Sequence, residues 1–507
     1  MSDWLEPTAA QLLADETPTA PRHVATVAIL EARESGFDYD RLVSVINERI
    51  ALVPRYRQRV LRLPGGVGPP VWTDDDFDLS FHVRRSALPR PGTMASLREL
   101  VARLIARPLD LDRPLWEAYL VEGVGDDRVA LLIKSHQALV DGSATVDLAQ
   151  VLLEETAHDR DVPADDWRPR PSPNPLRLAG ESVVDTVTHP QRLVDAGVTI
   201  AGKLMSRLPI PGSHRIDPHS VLSAEPSQQR RFATIRTQLD DYRTIRDSHG
   251  GTVNDVVLSV IAGGLRSWLL TRAEPVSAAT RFRALVPMSV VGENGDEDEI
   301  PTVLGSAVRG KLLSLPVGEG NPVVRLHQVS YSLKAHRETG LAVAANQLAA
   351  LPGFAPTTFH AVGSRVADTQ PKRSFHLAVT NVPGPQEPMY MAGARVLESY
   401  PALPLTAERA LSIGVTSYDG SVCYGLVTDR DAIPDADVLA QCIEESLVEL
   451  VDSAASSRSR APRGRARPSE RRGEGPPAAR RPGDAPEERA GRRARQSGST
   501  HQQKSER

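Results

Sequence analysis

The sequence predicts a mixed α/β protein of two lobes, on three observations. Short β-branched strands alternate with helices that carry one apolar face, a proline-rich stretch interrupts that alternation, and the alternation resumes beyond it. With 507 residues, 40% of them hydrophobic, the chain is long enough to bury two cores.

The elements follow in order. Val24 to Leu30 is β-branched and aliphatic, the composition of a buried strand. Asp38 to Ile50 reads as a helix with Leu42, Val45, Ile46 and Ile50 on one face. Val71-Trp72 and Phe81-His82-Val83 are expected as short strands. Ser96 is expected to cap a helix presenting Leu97, Leu100, Val101, Leu104 and Ile105. Arg128 to Lys134 reads as a strand, and a helix is expected from about Ser143 through Leu152. From 156 to 175 Asp, Arg and Pro dominate, and alternate prolines after Arg168 forbid a helix. Residues 177–207 regain helical periodicity and 212–231 are polar, so 156–231 is read as a crossover linker between a first lobe, 1–155, and a second, 232–452. The second lobe opens with a strand near Phe232–Leu239 and a helix near 240–248. Gly250-Gly251 stops that helix, and Thr252 caps an apolar helix running through Leu270. Strands are expected at 282–287, 302–308, 375–380, 409–416 and 421–427, and a final helix at about 435–451.

Charge separates the tail from the rest. The formal net charge is -4, yet 456–507 hold 15 Arg/Lys against 6 Asp/Glu. With almost no large apolar residue, the tail from 453 to 507 is expected to be disordered. It reads either as a basic tether to anionic lipid headgroups or as a solvated extension. No nucleic-acid partner is indicated. Cys423 and Cys442 lack zinc-ligand spacing and read as buried free thiols. Met1 to Pro7 has no basic-then-apolar pattern of a signal peptide, and no uninterrupted apolar run reaches the ~18 residues of a spanning helix.

The stretch richest in chemistry is Lys134-Ser135-His136-Gln137-Ala138-Leu139-Val140-Asp141-Gly142. A strand delivers a histidine to a turn containing Asp-Gly, and a helix follows. An imidazole is the usual base for taking a proton from an attacking alcohol. Asp141 reads as the carboxylate that holds the loop, and Gly142 as the residue that permits the turn.

This segment resembles the His-His-x-x-x-Asp-Gly motif of the wax ester synthase/diacylglycerol acyltransferases, shared with chloramphenicol acetyltransferase-like enzymes and condensation domains. The resemblance extends over about 1–452. Pro108-Leu109-Asp110-Leu111-Asp112-Arg113-Pro114-Leu115-Trp116-Glu117 resembles the family's upstream segment. Thr252-Val253-Asn254-Asp255 resembles its Asn-Asp helix start, and Thr380-Asn381-Val382-Pro383-Gly384-Pro385 its strand-to-turn signature. Leu411 to Gly420 and Asp429-Arg430-Asp431 resemble its C-terminal pattern. The resemblance implies two chloramphenicol acetyltransferase-like lobes with a tunnel between them. Acyl-CoA would be the co-substrate and diacylglycerol or a long-chain alcohol the acceptor, with no cofactor and no metal. It places catalysis at His136, Gln137, Asp141 and Gly142, and substrate binding at Asn254, Asp255 and Asn381. A helix cap is the alternative role for Asn254 and Asp255, and a rigid turn for Asn381. The protein is expected in the cytoplasm, with peripheral association at membranes or lipid droplets an open alternative.

One departure bears on mechanism. Counting back four from Asp141, the family's basic histidine is replaced by Gln137, and His136 holds the first histidine position. A glutamine amide cannot take up a proton near neutrality. Three readings stay open: His136 acts as base after a shift of the turn, Gln137 only positions the hydroxyl, or the chain binds lipid or CoA with catalysis impaired. The first is favoured. A condensation-type enzyme acylating an amine or a carrier-bound alcohol is a further alternative. Gly305-Ser306-Ala307 stands where relatives often carry Gly-Asn-Arg, and His360 and His376 read as packed or exposed rather than catalytic.

Overall fold

The computed structural model describes residues 3–32, 35–64, 68–125, 127–139, 147–157, 165, 167–171, 173–174, 177–178, 220–290, 308–337, 341–342, 356–369 and 374–460. The strands, in chain order, are β1 (Asp3–Trp4), β2 (His23–Glu31), β3 (Gln58–Leu61), β4 (Val71–Asp74), β5 (Val83–Ala87), β6 (Trp116–Val124), β7 (Arg128–His136), β8 (Leu153–Glu154), β9 (Arg230–Gln238), β10 (Phe282–Val290), β11 (Val308–Leu315), β12 (Leu341–Ala342), β13 (Leu377–Pro383), β14 (Tyr390–Met391), β15 (Ala394–Ala402), β16 (Leu411–Tyr418) and β17 (Ser421–Asp429). The main helices are α1 (Pro7–Asp15), α2 (Tyr39–Arg49), α3 (Met94–Ile105), α4 (Leu148–Leu152), α5 (Leu239–His249), α6 (Val253–Thr271), α7 (Pro322–Arg337), α8 (Pro356–Thr369) and α9 (Ala436–Arg460).

The first large sheet runs β5-β6-β7-β2-β15-β14-β8 and the second β11-β10-β13-β16-β17-β9, with β12 on β10. The expected two-lobed α/β architecture is present, but the lobes are not contiguous in sequence. Strands β14 and β15 follow most of the second sheet in the chain and yet belong to the first, where β15 pairs antiparallel with β2, Tyr400 opposite Val27. One apolar cluster then spans both sheets, joining Val27, Leu132 and Tyr400 to Phe232, Cys423 and Val427. Both thiols are free and buried. Backbone closeness makes this possible: a Cβ on Gly425 of β17 would lie 1.8 Å from the Pro401 carbonyl oxygen, and one on Gly414 of β16 would lie 2.8 Å from the Pro401 ring.

Helix α6 is the core of the second lobe. Thr252 accepts from the Asp255 backbone N–H at 3.2 Å, and the Asp255 carboxylate accepts from Thr252 N–H at 3.0 Å, a complete capping box. The helix has the length and apolarity of a membrane span, but most of its residues are buried against α5, α7 and α9.

Several local expectations are corrected. Helix α3 is capped by Thr93, three residues before Ser96, and Thr93 Oγ1 accepts from Ser96 N–H. Residues Leu79–His82 form one helical turn rather than a strand, because Asp78 accepts from Ser80 N–H and starts a helix; the strand begins at Val83. Of the strand expected at 302–308, residues 302–307 lie outside the described residues, and Val308 begins β11, Val308–Leu315. The last helix runs to Arg460, so the residues from 453 to 460, assigned to a disordered tail, are helical, with Ala454 fully buried. The helix start expected near Ser143, most of the 156–231 crossover, and residues 461–507 lie outside the described residues.

Because Gly425 has the Pro401 backbone rather than a flexible side chain against it, Gly425→Ala is expected to force β17 off β15. Thermal unfolding of the variant is expected to fall several degrees below wild type; an unchanged Tm would mean the sheets do not meet this closely.

Candidate active site

His136 is the last residue of β7, opposite His23 on β2. Its ring is fully buried. The Nδ1 atom accepts from the Ala138 backbone N–H at 3.0 Å, so the neutral ring carries its proton on Nε2. That Nε2 faces Glu16 Oε2 at 3.5 Å, the long limit of a hydrogen bond. Burial alone would raise the Glu16 carboxyl, but His136 and Arg22 together outweigh it and hold the group below its ordinary range. Strand alternation puts His136 on the face of β7 opposite Leu131 and Ile133.

Gln137 begins the turn. Its backbone N–H donates to the Arg22 carbonyl at 2.9 Å and its side chain is fully buried. The amide lies against the Asp368 carboxylate without closing a full hydrogen bond. Asp368 comes from α8, in the second half of the chain, and forms a buried ion pair with Arg22 just before β2. Burial pushes the Asp368 carboxyl up despite Arg22 and Gln137. Beyond the turn, Asp147 caps α4 and accepts from the Tyr56 hydroxyl at 3.0 Å. Asp141 and Gly142 lie outside the described residues, as does Gly305-Ser306-Ala307.

The other expected residues form a second cluster. Asn381 of β13 donates its side-chain amide to Asn254 Oδ1 at 2.9 Å, at the first turn of α6. Asp255 is committed to its cap and also accepts from Ser330 Oγ of α7 at 2.8 Å. These bonds give Asp255 a role in holding α6 and α7 together. Asn254 Nδ2 is buried and unpartnered. No hydrogen bond or ion pair among the described residues joins this cluster to His136.

A narrow apolar cavity of about 50 Å³ lies between the lobes. Thr26, Leu131 and Ile133 line it from the first sheet, Ala149 and Leu153 from the segment after the motif, and Pro385, Ser417 and Tyr418 from the second half of the chain. His360 of α8 also lines it. His360, Ser364 and Asp368 are spaced four apart, so they share one helix face. That face therefore runs from the cavity to Gln137. Sequence reasoning passed over Glu16, Arg22 and Asp368 and read His360 as packed or exposed; the four-residue spacing of His360, Ser364 and Asp368 was the available signal. His376, by contrast, is structural: its Nδ1 accepts from Arg283 N–H at 2.9 Å.

Comparison with known proteins identifies this arrangement. Residues 5–257 match the wax ester synthase/diacylglycerol acyltransferase catalytic domain, and 304–451 match the C-terminal domain of the same family. A probable diacylglycerol O-acyltransferase of Mycobacterium tuberculosis is 31% identical over 468 residues, 88% of this chain and 98% of that one. The chain belongs to the wax ester synthase/diacylglycerol acyltransferase family. A second M. tuberculosis protein of the same description is 32% identical over 440 residues, 85% of this chain and 92% of its own length. The wax ester synthase/diacylglycerol acyltransferase from Marinobacter aquaeolei superposes with a TM-score of 0.62 at 25% identity, covering 89% of this chain and all of that one. The first condensation domain of the calcium-dependent antibiotic synthetase shares the fold, at 14% identity and a TM-score of 0.51, over 90% of this chain and 97% of that one. As a family member the protein is an acyltransferase, with an acyl donor and an acyl acceptor as substrates.

Membership sharpens the reading of His136. It keeps the family's first histidine position, but its Nδ1 is engaged, its Nε2 is turned to Glu16, and it sits on the far side of β7 from the cavity. This geometry suits a residue that holds the turn, not the base that the sequence favoured.

Arg22→Ala would leave the Asp368 carboxylate buried without its cation, which typically costs about 3–5 kcal/mol. A raised folded-state carboxyl pKa means that folding favours the protonated form, so stability is regained as pH falls through it. The deficit of Arg22→Ala in chemical denaturation is expected to be largest near pH 8 and to shrink toward pH 5. A deficit that does not change with pH would contradict the charge assignment.

Proposed function

We propose that the protein transfers a long-chain acyl group from acyl-CoA to the hydroxyl of diacylglycerol, forming triacylglycerol, with long-chain alcohols as secondary acceptors. The observation that carries this reading is the apolar cavity lying between the lobes against the strand that ends in His136 and Gln137. The acceptor oxygen attacks the thioester carbonyl carbon, the carbon–sulfur bond breaks, and the hydroxyl proton ends on the CoA thiol. Enclosure between lobes keeps water from competing for the acyl group. Gln137, at the position of the family's base, orients the hydroxyl but does not take its proton. His136 and Glu16 hold the turn that presents it. Asn254 Nδ2, without a partner among the described residues, is available as a donor to a substrate oxygen. The reaction needs acyl-CoA as co-substrate and no further cofactor, and it takes place in the cytoplasm where the protein meets neutral lipid at a membrane or droplet surface.

A second reading rests on the same glutamine: a homologue that binds lipid or CoA with catalysis impaired. Incubation with labelled oleoyl-CoA and diolein separates the two. Wild type is expected to form triolein above a heat-killed control, and Gln137→His is expected to be faster, by about 10²-fold or more, the usual worth of a general base. Triolein at the heat-killed level from wild type would favour the second reading. A Gln137→His variant no faster than wild type would remove residue 137 from proton transfer.

A further inference from the structure

The cavity between the lobes contains an unsatisfied polar atom. His360 is 1% exposed and lines the cavity, and its Nε2 has no hydrogen-bond partner. Its other nitrogen, Nδ1, lies 2.5 Å from Thr380 Oγ1 on β13. The apolar surroundings drive the ring's pKa down to about 3, so it is neutral at working pH. Hydroxyls of Thr26, Ser399, Thr416, Ser417 and Tyr418 also line the cavity; of these Tyr418 accepts from Met389 N–H at 2.8 Å and donates to the Val396 carbonyl at 2.9 Å, Thr416 donates to the Val382 carbonyl at 2.9 Å, and Ser417 accepts from the Gln386 amide at 3.0 Å. Leaving a buried nitrogen unpaired typically costs about 1–3 kcal/mol. Among the described residues none relieves that cost, so a ligand atom is the natural candidate.

We propose that His360 Nε2 is the hydrogen-bonding contact for the free hydroxyl of an uncharged acyl acceptor, and that it selects neutral acceptors over anionic ones. The proposal rests on the acyl-transfer reading above and adds the residue that recognises the acceptor.

The tautomer argument favours a hydroxyl. If Nδ1 donates to Thr380, then Nε2 is a bare acceptor; if Thr380 donates to Nδ1, then Nε2 carries the proton. A hydroxyl both donates and accepts, so it satisfies either state. A carbonyl oxygen satisfies only one. A phosphate or carboxylate would need a cation, and a neutral ring in an apolar wall does not supply one. Size agrees as well. About 50 Å³, against the roughly 10–15 Å³ of the same measure that holds one water, is room for a hydroxyl-bearing head of a few heavy atoms. The chains must extend past Met389 and Met391, whose unbranched side chains also line the space and repack readily.

The test compares wild type, His360→Leu and His360→Gln in steady-state transfer from oleoyl-CoA to 1,2-dioctanoylglycerol. His360→Leu is expected to raise KM for dioctanoylglycerol by about 5- to 150-fold, as expected from one lost hydrogen bond to a buried group, with KM for oleoyl-CoA within two-fold. His360→Gln, which keeps a donor and an acceptor, is expected to recover part of the loss. Ligand-free His360→Leu loses the Nδ1–Thr380 hydrogen bond along with the unpaired Nε2, so its own Tm serves as the baseline for the ligand-induced shifts. In parallel, saturating dioctanoylglycerol is expected to raise the Tm of wild type and to raise that of His360→Leu markedly less, while dioctanoylphosphatidate raises neither. An unchanged KM for dioctanoylglycerol in His360→Leu overturns the proposal, as does an equal Tm rise in both proteins. If wild type forms no product, the acyl-transfer reading fails, and the Tm rise with dioctanoylglycerol still decides the role of His360.

Discussion

The site depends on a buried ion pair between residues far apart in sequence. Arg22, on the approach to β2, meets Asp368, near the end of α8. The pair fixes a second-half helix against the strands of the first sheet. The pair adds a charged anchor at the motif to the packing of α8 against β13, β11 and β2. Breaking one partner of such a pair is costly because the other charge stays buried. Strand β15 supplies the complementary constraint by inserting into the first sheet and passing under Gly414 and Gly425. Charge and backbone contact therefore join the lobes in addition to the apolar cluster between the sheets.

Much of the fold was legible in the sequence because local chemistry dictated it. The β-branched run of Val24–Leu30, the aliphatic run before His136 and the capping pattern at Thr252 all formed as their residues require. What escaped was non-local. Nothing in Ala394–Ala402 states which sheet it will join, since a buried strand pattern is satisfied by either. Helix α8 was missed because Thr357, Thr358 and Gly363 are weak helix formers, and tertiary packing overrides that weakness. Gly363 is in fact needed there: a Cβ would come within 2.8 Å of the Pro287 ring.

The same divide runs through the site. The motif, the Asn-Asp helix start and the strand-to-turn signature each marked a real local structure, and Asn254 and Asn381 do meet. The sequence could not say which way His136 would face. Its orientation is set by Glu16, by the Ala138 N–H and by strand alternation, and the first of these lies 120 positions away in sequence. Nor could it say that His360, apparently isolated, would share a helix face with the carboxylate beside Gln137. Among the described residues that line the cavity no side chain carries a charge, which suits an acceptor that is itself uncharged.

The most direct measurement is a crystal structure with a diether analogue of 1,2-dioctanoylglycerol. The account requires the free hydroxyl in the space bordered by Leu131, Ile133 and His360, with the chains leaving past Met389 and Met391. An analogue bound elsewhere, with that space unfilled, would contradict it.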